Sequence, residues 1–258
     1  MSLSHLCSRT LAVVAALILP CACAAGRAPA ALPNWFGIWE VEGLHVNASG
    51  TVDNTPEELR KEFGGQAPYT PEAEARFQDY RRKLSELPDE RYCTFGFPNV
   101  MLESPLVFEV LITPQETAMI FSAREIRHIY TDGRALPRPQ ELFPTHWGSS
   151  VGHWEGQTLV IETVGTELET STIWVWDNYD YFDVIARLSE KTRYTERLRM
   201  IGKDQLEDQL TIFDPEQFTR PWTLTHRYRR AQGISRMIHE DCEGPDRNPV
   251  VNGKFTLK

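Results

Sequence analysis

The sequence predicts an all-β protein, an antiparallel barrel with one amphipathic helix near residues 71–86. Three observations predict it. Short β-rich runs separated by turn signals recur from about residue 105 onward, roughly eight to ten of them in one unit. Only the segment 71–84 combines helix-start chemistry with helical spacing of its apolar side chains. The chain has 258 residues, of which 41% are hydrophobic and 10% aromatic, enough to fill one large core. No repeat of fixed period divides it. A barrel is favoured over an open sheet because closure removes edges and encloses a pocket.

The elements follow in chain order. Residues 1–25 carry Arg9, the apolar run Leu11–Pro20 and the small-residue zone Cys21-Ala-Cys-Ala-Ala25. This is the pattern of an export signal cut near Ala24 or Ala25, and the run is too short to span a bilayer. Cys23 after Ala22 also fits a lipoprotein cleavage site. Residues 26–34 are an Ala/Pro-rich flexible leader, and 35–258 form a single domain. Trp35–Val41 reads as the first strand, and 47–70 as a long loop. Thr70 is placed to cap a helix that starts at Pro71, carries early Glu and ends in basic residues. Phe77, Tyr80 and Leu84 form its buried stripe.

Strands follow at Leu106–Ile112 and Ala118–Tyr130, the second leading into the tight-turn signal Asp132-Gly133. His153–Glu155 and Thr158–Thr163 flank a turn at Gly156-Gln157. Lys191–Ile201 and Gln205–Phe213 flank Gly202–Asp204. Trp222–Arg229 and Ser235–Glu240 close the set, with Gln232-Gly233 between them.

Composition excludes several functions. Lys plus Arg is 27 against 36 Asp plus Glu, a net charge of -9. No dense basic run is present, so nucleic acid and anionic lipid are poor partners. No later segment is apolar enough to form a transmembrane segment. Phosphate-loop and dinucleotide fingerprints are missing, so no nucleotide cofactor is expected. Cys93 and Cys242 remain once the signal is removed, and in an oxidising compartment they are expected to form a disulfide. Neither has a second Cys at zinc spacing, and Asp177, Asp180 and Asp183 lack calcium-loop spacing, so no metal is expected.

Gly37-Ile-Trp39 resembles the Gly-x-Trp of lipocalin first strands, which implies a lipocalin- or calycin-like barrel. A longer pattern covers roughly residues 90–245. Arg127-His-Ile-Tyr-Thr-Asp-Gly-Arg134, the segment Gly148–Thr163, Glu196-Arg197 and Asp214-Pro215 resemble a family of exported bacterial proteins of unassigned function. That family carries an Arg-x-Ile-x-x-Asp-Gly-Arg hairpin before a Gly-x-Ser-x-Gly-x-Trp-Glu-Gly-Asp-Thr-Leu-Val segment. Here Gln157 replaces the usual Asp, and Leu188 stands near a position where many members have His. The resemblance implies fold and export, not a reaction. Gly148–Gly152 also fits Gly-x-Ser-x-Gly, but an all-β hairpin follows it, which argues a turn rather than a nucleophile elbow.

Candidate chemistry comes from strand alternation. Ile126, His128 and Tyr130 share one face. Trp222, Leu224, His226 and Tyr228 share another. If both faces point inward, His128 and His226 could act as base and acid, with Tyr130 or Tyr228 as donor. The alternative is two satisfied structural histidines. Trp174 and Trp176, with Trp154 and Trp222, are candidates to stack on a ring-shaped ligand, and Arg127 is a candidate polar contact. Glu155 and Glu162 could pair with Arg127 or Arg134. His146 and His153 flank a turn without a third ligand. The expected function is an exported barrel that binds a small hydrophobic, ring-containing molecule, and in a catalytic form converts it by cofactor-free acid/base chemistry (lyase, isomerase or hydrolase). The rivals are a non-catalytic carrier and an envelope-associated structural protein with a filled barrel.

Overall fold

The structure, a computed structural model, describes residues 32–42, 66–83, 96–103, 107–122, 125–167, 172–177, 181–237, 250–251 and 254–255. For 172–177, 181–185, 250–251 and 254–255 the backbone pairing alone is described. The expected export signal, nearly all of the expected leader, Leu84, Cys93 and Cys242 lie outside the described residues, and so does the expected disulfide.

Nine strands close into a barrel. They are β1 (Ile38–Val41), β2 (Phe108–Ile112), β3 (Glu116–Phe121), β4 (Ile126–Tyr130), β5 (Ser149–Glu155), β6 (Thr158–Val164), β9 (Arg193–Met200), β10 (Gln205–Phe213) and β11 (Trp222–Arg230). The order around the barrel is β1-β11-β10-β9-β6-β5-β4-β3-β2, and β1 pairs with both β2 and β11. Two strands that follow β6, β7 (Thr172–Asp177) and β8 (Tyr181–Arg187), pair only with each other, as do β12 (Val250–Val251) and β13 (Lys254–Phe255). The predicted all-β barrel is therefore the observed architecture.

Helix α1 (Pro71–Lys83) starts as its sequence dictates. The Thr70 hydroxyl accepts the Ala73 N–H at 3.1 Å, and Glu72, Glu74 and Arg81–Lys83 suit the helix dipole at either end. Ala73 and Phe77 are its buried side chains, with Phe77 stacked on Tyr69 at 5.0 Å. The Thr70 N–H donates to Gln217 O, which docks the helix beside the β10–β11 connection. In that connection Asp214 is buried and accepts from Ser189 N at 2.6 Å, Ser189 Oγ at 2.9 Å and Thr192 Oγ1 at 2.9 Å. A carboxylate so surrounded clamps two loops together. A second short helix, α2 (Asn99–Glu103), follows Phe97 and Pro98.

Three readings of local sequence are corrected. Ala118–Tyr130 is not one strand but the antiparallel pair β3–β4, closed where Phe121 N–H donates to Glu125 O. Asp132-Gly133 does not turn a hairpin. Asp132 is taken up by Arg134, which donates to it from backbone and side chain, and the chain then runs on to 148 before β5 pairs parallel to β4. A parallel neighbour needs such a crossover. Residues 231–237 form no strand, so the described part of the predicted strand 235–240 is irregular.

One end of the barrel carries the 113–116, 156–157 and 201–204 turns. It is closed by Trp35 and Trp39, both buried, with the Trp39 indole N–H on Trp35 O at 3.0 Å and Trp154 edge-on to Trp35 at 5.3 Å. Arg230 lies over the Trp39 ring at 4.4 Å and donates to Phe36 O. Gly37 has φ +128°, and a methyl there would strike the Arg230 guanidinium. Gly37→Ala is therefore expected to destabilise the barrel by about 1–3 kcal/mol, from left-handed backbone and displaced arginine together. Urea unfolding checks this, and a loss below a few tenths of a kcal/mol would contradict it.

Candidate functional site

Alternation on the strands sends every second side chain into the barrel. Most of the interior is apolar: Phe108, Val110, Met119, Phe121, Ile129, Leu159, Ile161, Leu198, Leu206, Leu210, Ile212 and Leu224 are all buried. Within this lining sits a polar cluster. β4 contributes Arg127, β5 Ser150, β6 Thr163, β9 Glu196, β10 Asp208, and β11 His226 and Tyr228, each almost fully buried.

Arg127 and Glu196 form its fixed part. The two Nη atoms of Arg127 meet the two Glu196 oxygens, one at 2.8 Å and the other at still closer range. The same guanidinium donates to Thr163 Oγ1 at 3.0 Å, and Ser150 and Thr163 share a hydrogen bond at 2.8 Å. It also lies 4.0 Å over the Phe97 ring. Burying a charge is tolerated when it is paired and hydrogen-bonded in this way.

Asp208 and His226 form the second part. They are direct partners across the β10–β11 register. No donor among the described residues reaches either Asp208 oxygen. Its polar neighbour is the Glu196 carboxyl, and two acids bond to each other only when one holds a proton. Burial first, and the Glu196 charge second, push the Asp208 carboxyl well above its usual range, with Arg127 opposing. Burial holds His226 down to about 3, so its ring is neutral near pH 7. The Tyr228 hydroxyl donates to Met101 O at 2.6 Å. Burial, then the Asp208 and Glu196 charges, raise its ionisation well above the ordinary tyrosine range.

The segment 96–103 covers the cluster. Phe97 packs edge-on against Tyr194 at 4.8 Å, and its N–H donates to His146 O at 2.9 Å. Phe97 and Met101 are fully buried.

The structure brings together only part of the predicted site. His226, Tyr228, Trp222 and Arg127 face inward and are buried. Trp154 also faces inward, but at the Trp35 end. His128 is on the outer wall, 54% exposed and contacting Glu116, with Tyr130 parallel beside it at 6.3 Å. The proposed His128–His226 acid/base pair is thus overturned, because the wall lies between them. The inward face of β4 is Arg127 and Ile129, since Arg127 finds a carboxylate across the interior. Trp174 and Trp176 belong to β7, outside the nine barrel strands. Glu155 pairs with Arg197 and Glu162 with Arg193, not with Arg127 or Arg134. Gly148 makes a turn at φ +64°, and Ser149–Gly152 belong to β5, with no helix following. His146 faces Glu167 and His153 faces Glu155. Among the described residues no group of side chains could hold a metal, and no helix is long and apolar enough to cross a membrane.

Sequence reasoning missed Glu196 and Asp208 as interior groups. The signal was present. Tyr194, Glu196 and Leu198 alternate in one register, and Leu206, Asp208 and Leu210 in the next, which puts each acid on an apolar face. Two grooves, of about 400 and 560 Å³, lie outside the barrel along α1, the first against 187–191 and the second beside Tyr80. Their linings mix Arg76, Arg187, Lys83 and Lys191 with Asp79, Glu190 and Glu216. No protein-family model, curated protein or solved structure matches this chain.

Proposed function

We propose that this chain is a ligand-binding barrel that encloses a small ring-containing molecule, oriented by the interior polar cluster. The observation that carries the reading is Asp208, a fully buried carboxyl that no donor of the described residues satisfies. Such a group lowers stability, and binding sites are where groups of this kind are retained. The aromatic side chains Phe97, Tyr194, Tyr228 and Trp222 share this interior and suit a ring. Export is part of the proposal and rests on the signal-like residues 1–25 and on the resemblance to a family of exported bacterial proteins.

Binding is favoured over catalysis by one magnitude. A general base works best with a pKa near the operating pH. His226 sits several units below that. Asp208 is shifted the other way, toward the protonated form, by burial and the Glu196 charge. The cluster is suited to hold a ligand rather than to abstract its proton. Since its side chains are buried, entry requires a mouth of the barrel to open, and a carrier that releases slowly has this property.

A neutral fluorescent ring compound, N-phenyl-1-naphthylamine, tests the reading. Saturable one-to-one binding is expected, with quenching of tryptophan emission. Leu210→Phe enlarges an inward side chain on β10 and should weaken binding at least tenfold while the far-ultraviolet dichroism stays unchanged. No binding, or equal binding by the variant, would place the ligand elsewhere and overturn the reading.

A further inference from the structure

Inside the barrel the acids outnumber the cations. The cluster contains one cation, Arg127, and two acids, Glu196 and Asp208. Both Nη atoms of Arg127 are engaged by Glu196. Asp208 is left with neither oxygen receiving a hydrogen bond from the described residues. The remaining titratable groups that face it are His226, neutral near pH 7, and Tyr228, also neutral. The interior therefore holds one acid without a cation of its own. An anion could reach the Arg127 Nε–H, which has no hydrogen-bond partner among the described residues, but it would sit beside two acids.

The walls favour the same sign. Aromatic faces attract cations through their quadrupole. Arg127 already rests on Phe97 at 4.0 Å, and Tyr194 and Tyr228 lie in the same lining. A bare cation is costly to bury, so a counter-ion inside the barrel is required, and Asp208, whose oxygens receive no hydrogen bond from the described residues, is the acid that Arg127 does not neutralise.

We infer that the ligand is a ring-bearing monocation, an aryl- or heteroaryl-alkylamine in its ammonium form, with the Asp208 carboxylate as its counter-ion. The inference rests on the ring-binding reading above and names its substrate class. Protons balance as follows. A primary amine is an ammonium ion in neutral solution. Where the free barrel holds Asp208 as the carboxylic acid, its entry turns that acid into a carboxylate, and the proton leaves to solvent. Where Asp208 is already ionised, the ammonium ion enters with no proton released.

Calorimetry on the full chain with 2-phenylethylamine, 2-phenylethanol and phenylacetate tests this. Each titration is run in two buffers of different ionisation enthalpy. The amine should bind at least tenfold more tightly than the alcohol, phenylacetate should bind weakest, and any proton release should be confined to the amine. Asp208→Asn should weaken the amine roughly tenfold to a hundredfold, as expected for a lost charged hydrogen bond, and abolish proton release, leaving the alcohol within threefold. If that variant does not fold, the order of affinities amine, alcohol, acid for the wild-type chain decides alone. Equal or tighter binding of the alcohol or the acid overturns the charge inference and leaves the ring-binding reading standing. If the amine fails while N-phenyl-1-naphthylamine still binds, the charge inference again falls by itself. If neither binds, the ring-binding reading falls first.

Discussion

Arg127→Met is expected to destabilise the barrel by about 3–5 kcal/mol, enough to unfold a domain of ordinary stability. The substitution removes little volume. Its effect is electrostatic, because Glu196 is left as a buried carboxylate beside Asp208, and its ion-pair partner is gone. Thr163 and Ser150 also lose a donor. The pair itself is not the source of stability. Replacing both partners, Arg127→Met with Glu196→Leu, should recover most or all of the loss, since a well-packed apolar pair in a dry core is as good or better. Urea unfolding of both singles and the double supplies the coupling energy. A single substitution costing under 1 kcal/mol, or a double as unstable as the sum of the singles, would show that the two charges do not act as a buried pair.

The second large effect is an opposed pH dependence of Asp208 and His226. His226 has a folded value near 3 against an ordinary 6.5. As pH falls below 6.5 the unfolded chain takes up a proton that the barrel refuses, so stability is lost toward acid, by up to about 1.4 kcal/mol per pH unit. Asp208 is shifted upward from an ordinary 3.8. As pH rises above that, the unfolded chain gives up a proton that the barrel keeps, so stability is lost toward neutral pH with the same limiting slope. Between about pH 4 and 6.5 the two trends offset each other in the wild-type chain. Asp208→Asn should therefore grow steadily more stable as pH rises through this window, and His226→Leu steadily less. Carboxylates outside the cluster such as Glu207, held low by hydrogen bonds from Arg199 and Arg227, are common to all three proteins and cancel in the comparison. Chemical unfolding at half-unit pH steps reads the slopes. Two variants with the wild-type profile would mean that neither group is titrated out of its ordinary range by burial.

The strands and the helix were legible because their causes are local. Period-two alternation marks β9, β10 and β11, and Thr70 with Pro71 marks the start of α1. On β11 the apolar face also named the right interior residues, Trp222, His226 and Tyr228. The face of β4 was misread for a physical reason. Ile126, His128 and Tyr130 are the more apolar set, and polarity alone turns Arg127 outward. What turns it inward is Glu196, 69 residues later and three strands around the barrel. No window along the chain contains both. The parallel seating of β5 beside β4 was hidden in the same way, because Asp132-Gly133 is a turn signal whose geometry is satisfied by Arg134 without any hairpin.

The barrel is closed by its shortest barrel strand. β1 has four residues, and it joins β2 on one side to β11 on the other. Those neighbours lie more than a hundred residues apart along the chain. During vectorial synthesis the sheet from β2 to β10 can assemble while the last seam is still unmade. Until Trp222–Arg230 has emerged, two raw edges stay open to strands from other molecules. Quality control of this protein is thus concentrated in one late event, the moment at which β1 is gripped from both sides.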